Sequence, residues 1–272
     1  MADKDSLAEA YNRGLALEKS GDLDGATAAY TEVLKLDPDD HGGVAIRLAA
    51  MGRGPVPEAA SDAYVATLFD QNAEHFDDML VEQPGYAVPM LVRERLGDLN
   101  LTGPFARMLD LGCGTGLTGA SMRDLAKEIT GVDLSENMLD EAHERDCYAD
   151  LYVAEAVAFL EESGEGPWDL IAATDVLPYI GALEGFFDAA ARETRPGGLL
   201  VYSCETLPDA ELAGQDYKVG PKHRFAHAWD YLAQQMTLAF YTRHREPITV
   251  RFDEGQPVPG YLIIAERHAT PG

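Results

Sequence analysis

The chain has 272 residues, 46% of them hydrophobic and 25% charged, which is enough for one α/β domain with a small appendage. Its formal net charge of −26 argues against nucleic acid as the main partner, because phosphates would be repelled at long range. No apolar run approaches the roughly 20 residues that span a bilayer, the opening M-A-D-K-D-S has no apolar signal core, and the scattered Cys113, Cys147 and Cys204 frame no disulfide set, so a cytoplasmic protein without a membrane partner is expected.

The first pattern along the chain is helical. Leu7, Ala10, Tyr11, Gly14, Leu15 and Leu17 recur at helical spacing, and Gly21-Asp22 interrupts them. A second run from about Leu23 to Leu36 places Ala26, Ala29, Tyr30, Val33 and Leu34 on one side before Asp37-Pro38 stops it. The order Gly14, Ala26, Tyr30, Pro38 resembles one tetratricopeptide repeat without its opening Trp. His41 to Met51 reads as the first helix of a degenerate second repeat. One repeat cannot bury its apolar face alone. This all-α region, residues 1–56, is therefore expected to pack on the rest of the chain, on a second copy, or on a protein partner through residues 6–51.

G-R-G-P-V-P, residues 52–57, reads as a linker. Ser61 or Asp62 caps a helix to about Leu68. Residues 68–80 then repeat an aromatic–acid pair at Phe69-Asp70 and Phe76-Asp77. Pro84 to Leu99 supply another helix, and Leu101 to Phe105 lead into the first strand.

The central stretch is R-M-L-D-L-G-C-G-T-G-L-T-G-A, residues 107–120. Met108 to Leu111 read as a buried strand, Gly112, Cys113, Gly114, Thr115 and Gly116 as a tight turn, and Leu117 to Leu125 as a helix. Strand, glycine turn and helix make the nucleotide-binding element of doubly wound sheets. The spacing departs from the dinucleotide fingerprint, since Leu117 stands where its third Gly belongs. Asp110, two residues before Gly112, would repel a pyrophosphate and suits a cationic or amino-bearing ligand.

This stretch resembles the first motif of the class I S-adenosylmethionine-dependent methyltransferases. The overall likeness is to those with an N-terminal tetratricopeptide repeat. It implies a doubly wound Rossmann-like seven-stranded sheet with a C-terminal antiparallel hairpin, a helical lid segment over residues 57–103 and a core over 104–272. It also implies S-adenosylmethionine as cofactor and S-adenosylhomocysteine as product. In related enzymes the segment containing Phe69 folds over the cofactor's methionine end.

The later elements fit this plan. Glu128 to Asp133 is a second strand, and Asp133 lies 21 residues after Gly112, where nucleotide folds place an acid for ribose hydroxyls. Ser135 caps a helix over 136–144, and Leu134 and Met138 are expected to flank the adenine. Leu151 to Ala154 form a third strand, followed by Glu155-Ala156. Related enzymes usually place Asp before that small residue, for the adenine amino group. Trp168 to Thr174 is a buried fourth strand whose end, Asp175 to Tyr179, opens on the reaction centre in the resembling family. Asp175 is expected at the methionine end and Tyr179 toward the acceptor. A helix over 183–194, the R-P-G-G turn and a fifth strand, Leu199 to Cys204, follow. Residues 207–223 read as an irregular acceptor loop and 227–239 as a helix. Two strands, 240–251 and 261–267, close the sheet around D-E-G-Q-P-V-P-G.

Methyl transfer displaces a sulfonium leaving group at carbon, so aligning the nucleophile supplies much of the acceleration. A base is needed only where the acceptor must lose a proton. His75, Tyr179, Glu205 and His227 are candidates, with His227 first because it follows the irregular loop. His223 and His227 lie four apart, but no H-E-x-x-H or cysteine cluster accompanies them, so no metal is expected. The acceptor is expected to be a small molecule or carried metabolite. The competing reading is a non-catalytic adapter that keeps the cofactor fold and binds a protein through its helical hairpin. Residues 205–272 carry nine acids against seven Lys and Arg, which leaves room for a locally basic pocket there.

Overall fold

The computed structural model describes residues 2–77, 87–220, 222–253 and 255–269. The N-terminal pattern forms three helices: α1 Ala2–Ser20, α2 Leu23–Leu36 and α3 Val44–Ala50. Asp22 caps α2 by accepting from the Gly25 N–H at 2.9 Å. Gly14 matters for its size: a Cβ there would meet the Tyr30 ring at 2.4 Å, so glycine lets α1 and α2 close over that ring. Ala10, Ala26, Tyr30, Val33, Val44 and Leu48 fill this small core. The third helix is shorter than the His41–Met51 pattern suggests. The buried Asp40 carboxylate accepts from the N–H groups of Val44 (2.6 Å) and Ala45 (2.9 Å) and fixes its start.

Ser61 caps the next helix, α4 Asp62–Asp70, accepting from the Tyr64 N–H at 3.1 Å and donating to the Asp40 carbonyl at 3.0 Å. α5 spans Val88–Asp98. The sequence extends the aromatic–acid segment to Leu80 and starts the following helix at Pro84; both of those ends lie outside the described residues.

The strands β1 Phe105–Leu111, β2 Ala126–Asp133, β3 Asp150–Val153, β4 Trp168–Ala173 and β5 Thr194–Glu205 pair in parallel, in the order β3-β2-β1-β4-β5. Between them run α6 Leu117–Met122, α7 Glu136–Glu144, α8 Ala156–Glu162 and α9 Glu184–Glu193. Side-chain alternation sends Met108, Leu170 and Leu262 to one face of the sheet and Leu109, Ile171 and Ile263 to the other. Helices cover both faces, which is why these strands read as continuous apolar runs.

Beyond β5 lie α10 Asp209–Leu212, β6 Tyr217–Val219, β7 Phe225–His227, α11 Trp229–Thr237, β8 Phe240–Asp253 and β9 Gln256–Arg267. β9 runs antiparallel to β5, and β8 antiparallel to β9; with β6 and β7 the sheet has nine strands, two more than the seven expected. The closing strands are longer than the sequence suggests. Pro257 and Pro259 read as loop residues, yet they sit in the part of β9 that extends past its register with β5 and pairs with β8, where the missing proline N–H groups cost no rung of the β5 ladder.

The segment expected to be an irregular loop holds a small antiparallel hairpin. Its β7 meets the end of β5 at Glu205↔Ala226. Strands of three residues are too short for alternation to show. His227 is therefore in a strand, and α11 starts two residues later, at Trp229.

The N-terminal region docks on the carboxyl ends of the sheet. Glu58–Ala60 runs as a strap along residues 179–182. The Ala60 N–H donates to the Tyr179 carbonyl at 2.9 Å, and the Gly181 and Ala182 N–H groups donate to the Glu58 carbonyl at 2.7 and 2.8 Å. Ile46 of α3 is buried with Val65, Tyr179, Val219 and Phe225. No helix among the described residues is long and apolar enough to cross a membrane.

Candidate active site

A cavity of about 910 Å³ opens where the carboxyl ends of β1, β2 and β4 meet the strap and α4. That is near the top of the roughly 300–1,000 Å³ range of small-molecule pockets. Its position is the one expected for a ligand in an open parallel sheet.

The glycine turn forms one wall. Gly112, Gly114 and Gly116 have φ of +60°, +52° and +89°. At Gly112 a Cβ would lie 2.4 Å from Val176 Cγ2, so glycine is needed for both conformation and space. At Gly114 a Cβ would meet nothing within 4 Å, because that side faces the cavity. Cys113 also lines the wall, and its N–H donates to the Val132 carbonyl.

Asp133 ends β2 beside this turn. Its Oδ2 accepts from the Gly114 N–H and its Oδ1 from the Ser135 N–H, both at 2.9 Å. The carboxylate itself lines the cavity. Burial raises its pKa, against the pull of these backbone donors. Leu134, Glu155 and Ala156 continue the wall. Glu155 also caps α8, Oε2 accepting from the Ala158 N–H at 2.7 Å.

Asp175 follows β4 with φ +61°. Its N–H donates to Ser203 Oγ at 2.8 Å, and that hydroxyl donates to Asp175 Oδ1 at 3.0 Å. Tyr179 stands four residues on, its ring edge-on to Phe69 at 5.5 Å. Its hydroxyl is buried without a hydrogen-bond partner, and burial raises its pKa.

Both acids of the aromatic–acid repeat act as latches. Asp70 Oδ1 accepts from Ser135 Oγ at 2.6 Å, and Asp77 Oδ1 from Thr115 Oγ1 at 2.6 Å while pairing with Arg145. They hold α4 and the turn after it against the loops of the glycine wall.

The methyltransferase-domain family model matches residues 109–200, and the tetratricopeptide-repeat model matches residues 8–40. The ubiquinone biosynthesis O-methyltransferase of Maricaulis maris is 26% identical over 185 residues, covering 60% of this chain and 72% of the relative. The malonyl-[acyl-carrier protein] O-methyltransferase of Serratia marcescens is 27% identical over 180 residues, covering 66% and 68%. The chain carries a methyltransferase domain and is similar to S-adenosylmethionine-dependent methyltransferases. The fold is shared with the 1,6-didemethyltoxoflavin-N1-methyltransferase of Burkholderia thailandensis, at a TM-score of 0.57 and 16% identity over 79% of this chain and 93% of that one.

Six residues expected at the site stand outside the cavity wall: Asp110, Gly116, Met138, His227 and the base candidates His75 and Glu205. Gly116 backs onto Tyr148 and Arg145, which a Cβ there would meet at 2.9 and 3.0 Å. Asp110 is fully buried behind the glycine turn. Its Oδ2 accepts from the Gly119 N–H (3.1 Å) and the Tyr148 hydroxyl (2.7 Å), Oδ1 has no partner, and burial pushes its pKa up to about 7. Met138 is core, because the Ser135 cap aims that turn of α7 at the sheet. His227 is fully buried, with Nε2 donating to the carbonyls of Ile180 (2.9 Å) and Gly181 (3.2 Å). Burial pushes it down to about 4, so it is neutral and braces the turn after Tyr179. No group of three or more His, Cys, Asp or Glu suited to a metal occurs among the described residues.

Other wall residues carry no sequence motif. Arg224 and Arg251 line the cavity from the C-terminal segment, whose near-neutral composition was the only signal. Glu58 and Asp62 arrive with the strap and α4, with no motif to mark them.

Proposed function

We propose that this methyltransferase moves a methyl group from S-adenosylmethionine, by direct in-line displacement, to a small molecule or carrier-held metabolite. The observation that carries the reading is the two-sided cavity. One side is the glycine turn with Asp133, Leu134, Glu155 and Ala156. The other is apolar and aromatic, formed by Val65, Leu68, Phe69 and Ile180 around the unpartnered Tyr179 hydroxyl. The first side fits the nucleoside cofactor, since Gly114 leaves open space and Asp133 lines it as an acceptor for ribose hydroxyls. Gly112, Cys113 and Gly114 are assigned to its backbone-facing edge, Leu134, Glu155 and Ala156 to the base, and Asp175 and Phe69 to the methionine end. The bound cofactor supplies a methyl group already activated by its sulfonium.

The chain's own residues then orient the acceptor and exclude water, which is where most of the acceleration arises in such a displacement. Tyr179 is the hydroxyl placed to hold the acceptor or its proton. The printed names of the curated relatives, one acting in ubiquinone biosynthesis and one on malonyl-carrier protein, support a small or carrier-held acceptor. We divide the chain into a helical region (1–56) packed as a cap, a lid segment (57–103) and a catalytic core (104–272). Calorimetric titration with S-adenosylmethionine, S-adenosylhomocysteine and NAD tests the cofactor assignment. Micromolar binding of the first two and silence with NAD is expected. Silence with all three in folded protein would overturn it and leave the adapter reading.

A further inference from the structure

Arg224 and Arg251 are the only cations in the cavity wall among the described residues; every other charged side chain there is an acid. Both converge on Glu205 at the end of β5. Arg251 Nη2 lies 2.9 Å and Arg224 Nη1 3.6 Å from the same oxygen, Glu205 Oε1. One carboxylate thus serves two guanidiniums. Arg251 also approaches Asp253 at 4.0 Å, but that carboxylate lies 3.5 Å from Lys222. Asp175, the other acid near this cluster, is held by Ser203.

Three buried polar atoms in this corner lack a hydrogen-bond partner: the donors Arg251 Nε and the Tyr179 hydroxyl, and the acceptor Glu205 Oε1, which meets both guanidiniums as an ion pair. The Arg224 guanidinium lies 5.4 Å over the Tyr179 ring, so arginine and phenol share one corner of the cavity. Tyr179 is only 8% exposed. Buried donors without acceptors are costly, and a bound acceptor removes that cost. Burial and the neighbouring Arg224 together lower the proton affinity of Arg251, an effect that an added anion would reverse.

We propose that Arg224, Arg251 and the Tyr179 hydroxyl anchor a carboxylate of the methyl acceptor, which is therefore an apolar monocarboxylic acid. The proposal rests on the assignment of this end of the cavity to the acceptor. The planar guanidinium fork matches a planar carboxylate. Within the Arg224–Arg251–Glu205 group two guanidiniums face one carboxylate, so a single added negative charge balances the group and a second would be uncompensated. Val65, Leu68, Phe69 and Ile180 would hold the apolar body.

The test uses the full-length chain, with and without saturating S-adenosylhomocysteine, and the probes benzoate, benzamide and inorganic phosphate, followed by ligand-observed NMR. Benzoate should bind at least about tenfold more tightly than isosteric benzamide and more tightly than phosphate. Arg224→Gln should remove the benzoate preference and leave S-adenosylhomocysteine affinity within about twofold, and Arg224→Lys should retain part of the preference. Equal binding of benzoate and benzamide, or no benzoate binding, would overturn the anchor, and this comparison needs no variant. Tighter phosphate binding would overturn the monocarboxylate. A tenfold loss of S-adenosylhomocysteine affinity in Arg224→Gln would mean that the anchored carboxylate is the cofactor's own. Failure of the wild-type chain to bind S-adenosylhomocysteine is a separate result. It would count against the cofactor assignment, while the benzoate comparison without cofactor still decides the anchor.

Discussion

Asp133→Asn separates the two duties of that carboxylate. In the wild type Oδ2 accepts from the Gly114 N–H and Oδ1 from the Ser135 N–H, while the carboxylate lines the cavity. Asparagine keeps one oxygen and turns an NH₂ toward the other backbone donor. One buried N–H then loses its acceptor, at a cost of about 1–3 kcal/mol in stability. For a chain of this size that lowers Tm by about 2–12 °C. Loss of the charged acceptor for ribose hydroxyls removes about 1.5–3 kcal/mol of binding, or about 10- to 150-fold in Kd. Thermal unfolding and calorimetry with S-adenosylhomocysteine measure the two losses on one sample. Unchanged affinity in a folded but destabilised variant would refute the ribose assignment and leave Asp133 a brace of the glycine turn.

Gly112→Ala adds a Cβ at positive φ within 2.4 Å of Val176 Cγ2, so it should cost about 2–5 kcal/mol; adding Val176→Ala should recover the steric part, and a double variant no more stable than the single would exclude that clash. Burial pushes the Asp110 carboxyl up to about 7 from its ordinary value of 3.8, so its contribution to stability is intact below about pH 3.8 and is lost as pH rises to about 7. Asp110→Asn should therefore gain on the wild type with rising pH, by up to about 4 kcal/mol between those limits, and parallel pH–stability curves would contradict the burial argument. Deleting residues 1–56 uncovers Tyr179, Val219 and Phe225, so the truncated chain should unfold at lower temperature and aggregate; equal stability and solubility would rule out the packing-cap role.

The sheet and its cofactor side are legible in the sequence because their signals are local. The glycine turn, Asp133 and the Ser135 cap each fall within one strand–helix junction, and their spacing follows chain geometry. Asp110 shows where local reading stops. An acid two residues before the first glycine can face the ligand or the helix behind it, and here the Gly119 N–H and the Tyr148 hydroxyl draw it to the helix side. Glu155 keeps its place in the wall but also takes on the capping that its neighbourhood requires. The sequence pattern places His227 at the start of a helix near the acceptor. The three-residue β7 had no periodicity to reveal it, and that strand buries the imidazole against the Ile180 carbonyl. The meeting of Arg224 and Arg251 over Glu205 depends on the β7–β5 and β9–β5 pairings, so no window of sequence contains it.

The strap at Glu58–Ala60 and the hairpin beside β5 give the two halves of the cavity different origins in the gene. The glycine wall comes from consecutive junctions between residues 110 and 156, whereas the opposite wall is gathered from 58–69, 179–186 and 224–251. The proposed acceptor half is thus a detachable specification. Exchanging those three segments between chains of this architecture should change which molecule is methylated, without redesign of the half that handles the methyl donor.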